Sequence, residues 1–281
     1  MYPEFDMVDL HTHSDASDGE FSPGQLMQRA FDSGISVIAL TDHDTLSGLN
    51  EADEKAQALK IRLIRGVETE VDSESGELHL LGLNLRAHSD ETLRKFLQKV
   101  RGRRVSRNEE MVELMKKNNL DVSLEQINLV AEGEITGRMH FAHWLINHGY
   151  AKNVQECFER WIGAGTPYYV PKQRPSLDDA LEAIHSVGGK VVIAHPRSLQ
   201  ISWKRMARCF SEWKERGMDG IEAYHSGATP EEAARFTNLA LKSGLFITGG
   251  SDFHGSGHPD RRLGYGPGGK PLHDSLVQPF I

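Results

Sequence analysis

The sequence is poor in cysteine and has no long apolar run. Its 281 residues include two cysteines, Cys157 and Cys209, which are far apart and not in a metal-type spacing. We interpret both as buried thiols of a reducing compartment. No run approaches the roughly 20 apolar residues of a membrane helix, and the first residues show no basic and apolar leader. These absences predict a soluble, cytoplasmic protein that has no membrane partner.

The chain also lacks net positive charge and two common catalytic motifs. Its formal net charge is −8, so a surface that binds long duplex nucleic acid is not expected. The nucleophile elbow Gly-x-Ser-x-Gly does not occur. Neither does the phosphate loop Gly-x-x-x-x-Gly-Lys-Ser/Thr. Catalysis by an elbow serine and nucleotide binding by a P-loop are therefore excluded.

Histidines and carboxylates, by contrast, recur in short motifs along the whole chain. Most of them follow a short apolar run rich in β-branched residues, and strand ends are where an α/β protein gathers its site. We expect them to meet in one pocket and to bind divalent metal ions. The candidate ligands are His11, His13, Asp18, His43, Glu68, His79, His195, Asp252 and His254.

Spacing supports some of these candidates more than others. His11 and His13 are two residues apart, which places both imidazoles on one face of an extended segment. Asp18 follows in a turn-like stretch, where a turn-forming aspartate is an equal alternative. Asp42 is a candidate partner that fixes the tautomer of His43. Asp44 is a candidate cap for the following helix.

Alternating strand and helix patterns predict an α/β fold with a mostly parallel sheet. About seven strands with candidate ligands at most of their ends favour a closed or nearly closed barrel over an open sheet. Residues from about 92 to 169 show helical periodicity and no convincing strand. We therefore assign residues 1–91 and 173–281 to the barrel domain and residues 92–172 to an inserted helical subdomain. Predicted strands cover residues 7–10, 37–40, 61–64, 78–85, 191–194, 220–224 and 245–248, and predicted barrel helices cover residues 23–33, 45–59, 177–187, 203–216 and 230–242.

The motifs resemble those of the polymerase-and-histidinol-phosphatase (PHP) superfamily of metal-dependent phosphoesterases, in family order between residues 8 and 255. The matching segments are His11-x-His13, Thr41-Asp42-His43, Gly66-Val67-Glu68, Ala194-His195-Pro196 and Ser251-Asp252-Phe253-His254. The resemblance implies a distorted, TIM-like (β/α)7 barrel with up to three metals. It implies one ligand set of His11, His13, Glu68 and Asp252, a second of Glu68, His79 and His195, and a third of Asp18, His43 and His254.

The predicted insertion narrows this resemblance. The segments 136–140 and 167–171 are similar to a subgroup that includes 3′,5′-nucleoside bisphosphate phosphatases and a 5′-to-3′ exoribonuclease of small RNAs. That subgroup commonly has proline in the place of Met139. We therefore expect a small nucleotide or a short 5′-phosphorylated RNA as substrate.

The expected chemistry is hydrolysis of a phosphoester by a metal-activated hydroxide. Two or three divalent ions are expected, and imidazole with carboxylate suits Mn, Fe and Zn, with Mg also possible. The catalytic candidates are His225, as a proton donor, and Asp252; water on a third metal is an alternative donor. The substrate-binding candidates are Arg138, His140, Arg197 and His225, with Tyr168 and Tyr169 as possible base-stacking side chains.

Two other functions remain open on the sequence alone. The first is a phosphatase of a non-nucleotide metabolite such as histidinol phosphate. The second is a non-catalytic metal-binding or regulatory module, as in some polymerase accessory domains. The retained ligand set favours an enzyme. The sequence leaves the oligomeric state undetermined.

Overall fold

The computed structural model divides the chain into two compact units. Met1–Leu97 and Pro175–Ile281 form one of them, here called the barrel unit, and Gln98–Arg174 forms the other, the helical unit. The residues that the structure describes are 7–74, 76–86, 91–130, 136–257 and 259–281.

A seven-stranded sheet forms the centre of the barrel unit, with its strands in the order of the sequence. The strands are β1 (Met7–Asp9), β2 (Ile35–Leu40), β3 (Arg62–Val71), β4 (Leu78–Leu83), β5 (Lys190–Ile193), β6 (Gly220–His225) and β7 (Phe246–Gly250). Strands β1 to β3 are parallel to one another, as are β5 to β7. Strand β4 is antiparallel to both of its neighbours.

Strand β3 is longer than its apolar run predicts, because it changes partner along its length. Residues 62–65 pair with β2, and residues 66–71 pair with the antiparallel β4. Glu68 therefore lies within β3, whereas the sequence pattern placed it at a strand end. His79 lies on β4 opposite Glu70, so the antiparallel turn-back adds a ligand candidate from a strand of opposite direction.

Hydrogen bonds between the first and last strands bring the sheet almost to closure. The backbone N–H of Leu10 donates to the carbonyl of Gly249 at 3.2 Å, and that of Asp252 donates to the carbonyl of His11 at 2.9 Å. The predicted nearly closed α/β barrel is thereby confirmed.

Helices pack around this sheet in the barrel unit. Their bounds are α1 (Pro23–Asp32), α2 (Leu49–Leu59), α3 (Glu91–Lys117, continuing into the helical unit), α7 (Leu177–Ser186), α8 (Trp203–Glu215) and α9 (Pro230–Lys242); the helical unit also contains α4 (Leu124–Val130), α5 (Arg138–Asn147) and α6 (Val154–Cys157). A capping box of Ser22 and Gln25 starts α1. The prediction that α2 begins at residue 45 is wrong by one turn, since a local bond from the Ser47 backbone to the Thr45 hydroxyl holds a turn there.

Two apolar layers hold the barrel unit together. Inside the barrel, Val8, Leu10 and Ile64 pack against a C-terminal segment that includes Leu276 and Phe280. Outside it, apolar faces of α7, α8 and α9 pack on the strands. Burial of these apolar side chains stabilises the strands, and the ends of the strands carry the polar residues of the site.

The helical unit has a core of its own, built around Phe141, Trp144 and Tyr168. Tyr168 is 2% exposed, and its ring stacks on that of Trp161 at 5.6 Å between centroids. Burial therefore excludes Tyr168 as a base-stacking side chain.

Close backbone packing at the end of β7 gives a stability test. A Cβ on Gly250 would overlap the Cβ of His11 and would meet the backbone nitrogen of His11 at 2.7 Å. We expect Gly250→Ala to lower the free energy of unfolding by about 1–3 kcal/mol. At Gly102, in α3, no described atom lies within 4 Å of the position that a Cβ would take. There the same change should raise stability by about 0.5–1 kcal/mol. Urea unfolding measures both, and equal effects would contradict this packing.

Candidate metal centre

Each of the seven strands brings at least one candidate site residue to the same end of the barrel. The first three strands are followed by or contain His11, His13, His43 and Glu68. The antiparallel β4 carries His79. The remaining strands lead to His195, His225, Asp252 and His254.

The carboxylate of Glu68 lies at the centre of this cluster and is 1% exposed. Its Oε2 atom lies 3.3 Å from Nε2 of His11, 3.2 Å from Nε2 of His13 and 3.2 Å from Nδ1 of His43. Its Oε1 atom faces the other way, 2.8 Å from Nδ1 of His79 and 3.0 Å from Nε2 of His195. One carboxylate therefore presents a separate oxygen to each of two histidine sets.

Four side-chain atoms form the tightest group in the cluster. Nε2 of His11 and Nε2 of His13 are 3.1 Å apart, and each lies 3.3 Å from Oδ1 of Asp252. Both also lie 3.2–3.3 Å from Oε2 of Glu68. Bonds of roughly 2.0–2.2 Å to one ion would separate its ligand atoms by about 2.8–3.6 Å in octahedral to tetrahedral geometry. The measured separations fit a single cation.

A further group surrounds Asp18. Its carboxylate oxygens lie 3.3 Å from Nε2 of His254 and 3.8 Å from Nε2 of His43. His13 Nδ1 is also 3.8 Å away. The Asp18 side chain is 40% exposed, which makes this group the most open to solvent of those that the structure brings together.

The electrostatics of the cluster favour bound positive charge. Burial alone raises the pKa of Glu68, but the surrounding His43, His11 and His79 hold it well below its usual range. Burial lowers the pKa of His13, yet its bonds to Asp252 and Glu68 raise it to about 10. Both shifts arise because the carboxylates attract positive charge. A divalent cation would supply that charge with stronger attraction than a proton on a histidine.

Other ring nitrogens in the cluster keep their lone pairs. Burial lowers the pKa of His43 to about 4, against the opposing effect of Glu68 and Asp18. Burial likewise lowers the pKa of His195. Neutral imidazole is the form that binds metal ions. Oxygen and nitrogen donors of this kind suit divalent ions from Mn to Zn.

Backbone strain accompanies the loops that carry these side chains. His195 and Asp252 have φ values of 23° and 55°, and Asp44, next to His43, has 53°. Residues other than glycine avoid this region, so surrounding contacts must hold them there.

Two buried carboxylates that the sequence analysis did not select hold the cluster from behind. Glu222 binds the ring of His11 and the backbone N–H of His195. Asp9 accepts bonds from the backbone N–H and hydroxyl of Ser251 and from the N–H of Gly264. A charged residue inside an apolar strand run was the available signal for both, because such a residue must find partners when buried.

The predicted roles of two aspartates are wrong. The carboxylate of Asp42 accepts bonds from Ser14 and Ser17 at 2.7 Å, so it orders the loop after β1 instead of holding His43. Asp44 accepts a bond from the Thr69 hydroxyl at 2.8 Å, and α2 begins five residues later. Local spacing did not predict the contacts of Asp42 and Asp44, because their partners are distant from them in sequence.

A cavity of about 680 Å³ opens onto the cluster within the barrel unit. Two arginines line it. Arg197 donates from Nη1 to the carbonyl of Gly227 at 2.9 Å and is 62% exposed. Arg261, which the sequence analysis missed, donates from Nη1 to Oδ2 of Asp252 at 2.6 Å. It belongs to none of the motifs, so no local signal in the sequence pointed to it.

The other substrate-binding candidates belong to the helical unit. Arg138 begins α5, and its guanidinium carbon lies 5.6 Å from the Phe158 ring centroid. Nδ1 of His140 accepts the backbone N–H of Gly137 at 2.8 Å, which caps the same helix. Their contact with substrate stays a prediction.

A barrel whose strand ends gather histidines around a shared carboxylate is typical of metal-dependent hydrolases. The family model of the PHP domain matches residues 9–174. The chain is 34% identical over 247 residues to a 5′-3′ exoribonuclease of Haemophilus influenzae, covering 88% of this chain and 89% of that one. It is 30% identical over 259 residues to a 3′,5′-nucleoside bisphosphate phosphatase of Chromobacterium violaceum, covering 92% and 90%. The chain therefore belongs to the PHP domain family.

Solved structures agree with this assignment. An amidohydrolase from Chromobacterium violaceum, with bound sulfate and no metal, superposes with a TM-score of 0.81 at 30% identity, covering 94% of this chain and 92% of that one. A proposed metal-dependent phosphoesterase from Bifidobacterium adolescentis gives 0.80 at 29% identity, covering 99% and 96%. The protein is a phosphoester hydrolase of this family. Among the described residues, no helix has the length and apolar character needed to span a membrane.

Metal binding should be measurable as stability. After chelator treatment, adding Mn²⁺ or Zn²⁺ at 100 times its dissociation constant should stabilise the protein by about 2.7 kcal/mol, or roughly 5–10 °C in Tm. Glu68→Gln should abolish this rise, because an amide cannot offer two anionic oxygens. Glu231→Gln, an exposed change on α9, should preserve it. A full rise in Glu68→Gln would show that the ions bind elsewhere.

Proposed function

We propose that this protein hydrolyses phosphoester bonds of nucleotides: it releases phosphate from 3′,5′-nucleoside bisphosphates or nucleotides from short 5′-phosphorylated RNA. The observation that carries the proposal is the Glu68 carboxylate, whose two oxygens face two histidine sets beside a cavity lined by two arginines. Side chains that would hold cations for a phosphoryl group, and guanidinium groups for its remaining charge, lie beside the same cavity.

We propose the clustered histidine and carboxylate side chains as the ligands of two or three divalent ions. His11, His13, Glu68 and Asp252 would hold one ion, and Asp18, His43 and His254 would hold another. Oε1 of Glu68, with His79 and His195 at 2.8 and 3.0 Å from it, would hold a further ion, and His43 also lies close to Glu68 and His79. When bound, such ions lower the pKa of water and offset negative charge on phosphoryl oxygens.

The arginines at the cavity supply further phosphate contacts. Arg197 uses Nη1 for the Gly227 carbonyl, with Glu232 at 3.5 Å, and most of its side chain faces solvent. Arg261 uses Nη1 for Asp252. A guanidinium group has five donors, so each arginine retains donors that a phosphate oxygen can accept.

His225 is better suited to donating a hydrogen bond than to transferring a proton. Its Nδ1 accepts the backbone N–H of Gly227 at 3.0 Å, so the neutral ring carries its hydrogen on Nε2. That Nε2–H points to Oδ2 of Asp252 at 3.4 Å. We infer that His225 orients Asp252, or binds a substrate oxygen, through Nε2–H. Asp252 acts as a ligand.

The two relatives support a nucleotide substrate over a metabolite such as histidinol phosphate. One is named as an exoribonuclease and the other as a nucleoside bisphosphate phosphatase. The cavity volume of about 680 Å³ lies within the roughly 300–1,000 Å³ of small-molecule sites. Arg138 and His140 remain the proposed contacts of the helical unit with the substrate.

Substrate choice is tested with a panel of phosphoesters. We expect inorganic phosphate to be released from adenosine 3′,5′-bisphosphate with added Mn²⁺, and nucleotides to be released stepwise from short 5′-phosphorylated RNA. Chelator and His11→Ala should each reduce the rate to the buffer blank, because both remove a metal site. Faster turnover of histidinol phosphate than of every nucleotide tested would overturn the proposal.

The role of the exposed arginine is tested separately. Arg197→Ala should raise KM by about 10- to 100-fold with a smaller effect on kcat, since one charge-assisted bond contributes about 1.5–3 kcal/mol. Arg216→Ala removes another paired guanidinium, bound to Asp178, and should leave KM unchanged. An unchanged KM in Arg197→Ala would exclude this residue from substrate binding.

A further inference from the structure

Glu222 is a fully buried carboxylate in the middle of β6. One of its oxygens, Oε1, lies 3.0 Å from Nδ1 of His11. The other, Oε2, accepts the backbone N–H of His195 at 2.7 Å. Both oxygens are thus used on residues that belong to different proposed metal sites. A buried charge at this position needs both partners.

The contact between Glu222 and His11 determines which ring nitrogen of His11 can offer a lone pair to a metal ion. A carboxylate only accepts hydrogen bonds, so Nδ1 of His11 must carry the hydrogen. In the neutral ring, which is the form that binds a cation, the lone pair is then on Nε2, which lies 3.1 Å from Nε2 of His13 and 3.3 Å from Oε2 of Glu68. Glu222 therefore keeps His11 in the tautomer that can bind a cation.

The contact with His195 acts through the backbone. His195 has φ of 23° and ψ of 66°, a conformation that a non-glycine residue adopts only when it is held. The short hydrogen bond from its N–H to Glu222 stabilises this backbone conformation at the end of β5. The ring then points its Nε2 to Oε1 of Glu68 at 3.0 Å.

We propose that Glu222 is a positioning residue that couples the two metal sites sharing Glu68, by orienting His11 for one and His195 for the other. This inference rests on the proposed metal-dependent function and deepens it. Its consequence is that one substitution behind the cluster weakens ions on both sides of Glu68.

Glu222→Gln isolates this role because it preserves shape and removes one acceptor. If the amide oxygen accepts from His195, the NH₂ group faces His11 and forces its hydrogen onto Nε2, which removes that nitrogen as a ligand. If the oxygen accepts from His11, the NH₂ group opposes the N–H of His195. Neither orientation satisfies both partners.

Asp219→Asn is a matched control. Asp219 also bonds a histidine and a backbone N–H, since its Oδ2 lies 2.8 Å from Nε2 of His185 and 2.9 Å from the nitrogen of Val191. It precedes β6, three residues before Glu222, and its partners lie outside the cluster. The same change of carboxylate to amide there should leave metal binding unaltered.

The experiment titrates chelator-treated protein with Mn²⁺ by calorimetry, and reads histidine tautomers from long-range ¹H–¹⁵N NMR spectra of the metal-free protein. We expect Glu222→Gln to weaken binding by about 10- to 100-fold and to remove the hydrogen from Nδ1 of His11, or to disturb His195. Glu222→Asp keeps the charge, but its side chain is one methylene shorter and cannot reach both partners. It should therefore also weaken Mn²⁺ binding, and it serves as the second variant if Glu222→Gln does not fold.

The outcomes separate this inference from the function on which it rests. Wild-type protein that binds no ion would overturn both. Wild-type protein that binds ions, with Glu222→Gln equal to Asp219→Asn in affinity and tautomer, would overturn the coupling alone. Mn²⁺ binding of wild-type strength in Glu222→Asp would also overturn it, because reaching both partners would then not matter.

Discussion

The carboxylate of Glu68 is the interaction on which the site depends. Five imidazoles lie within 3.3 Å of its two oxygens, and they come from segments after or within four different strands. Such a concentration of donors is unfavourable without positive charge among them, since burial removes the water that would otherwise solvate the anion. The strand ends of this fold therefore form a site suited to cations. Such a site agrees with the phosphoester chemistry of the family.

The change of direction at β4 brings the central carboxylate and its neighbours together. Because β3 pairs first with β2 and then with the antiparallel β4, it continues past the neighbouring strand end and carries Glu68 into the middle of the cluster. His79 then enters from β4. Behind them, Glu222 and Asp9 hold the flanking loops through bonds that use both oxygens of each. These two carboxylates thus hold the loops that carry the ligands.

The sequence predicts the barrel and the ligand candidates because both depend on local patterns. Apolar runs predict strands. Two pairs of candidate ligands follow such runs, and the members of each pair are two residues apart: His11 with His13, and Asp252 with His254. Contacts made through loops were not predictable in the same way. Arg261 meets Asp252 through a loop without a motif, and Asp42 turns to Ser14 and away from His43. These partners are chosen by the folded backbone, whose turns at positive φ have no reliable sequence signal outside glycine.

Anomalous diffraction from crystals soaked in Mn²⁺ tests the central claim most directly. The account predicts one peak among His11, His13, Glu68 and Asp252, and a second on the other oxygen of Glu68, between His79 and His195. Each peak should lie about 2.0–2.3 Å from its ligand atoms. A fully soaked crystal with peaks only elsewhere, and with the Glu68 carboxylate bonded to protonated histidines alone, would contradict the account.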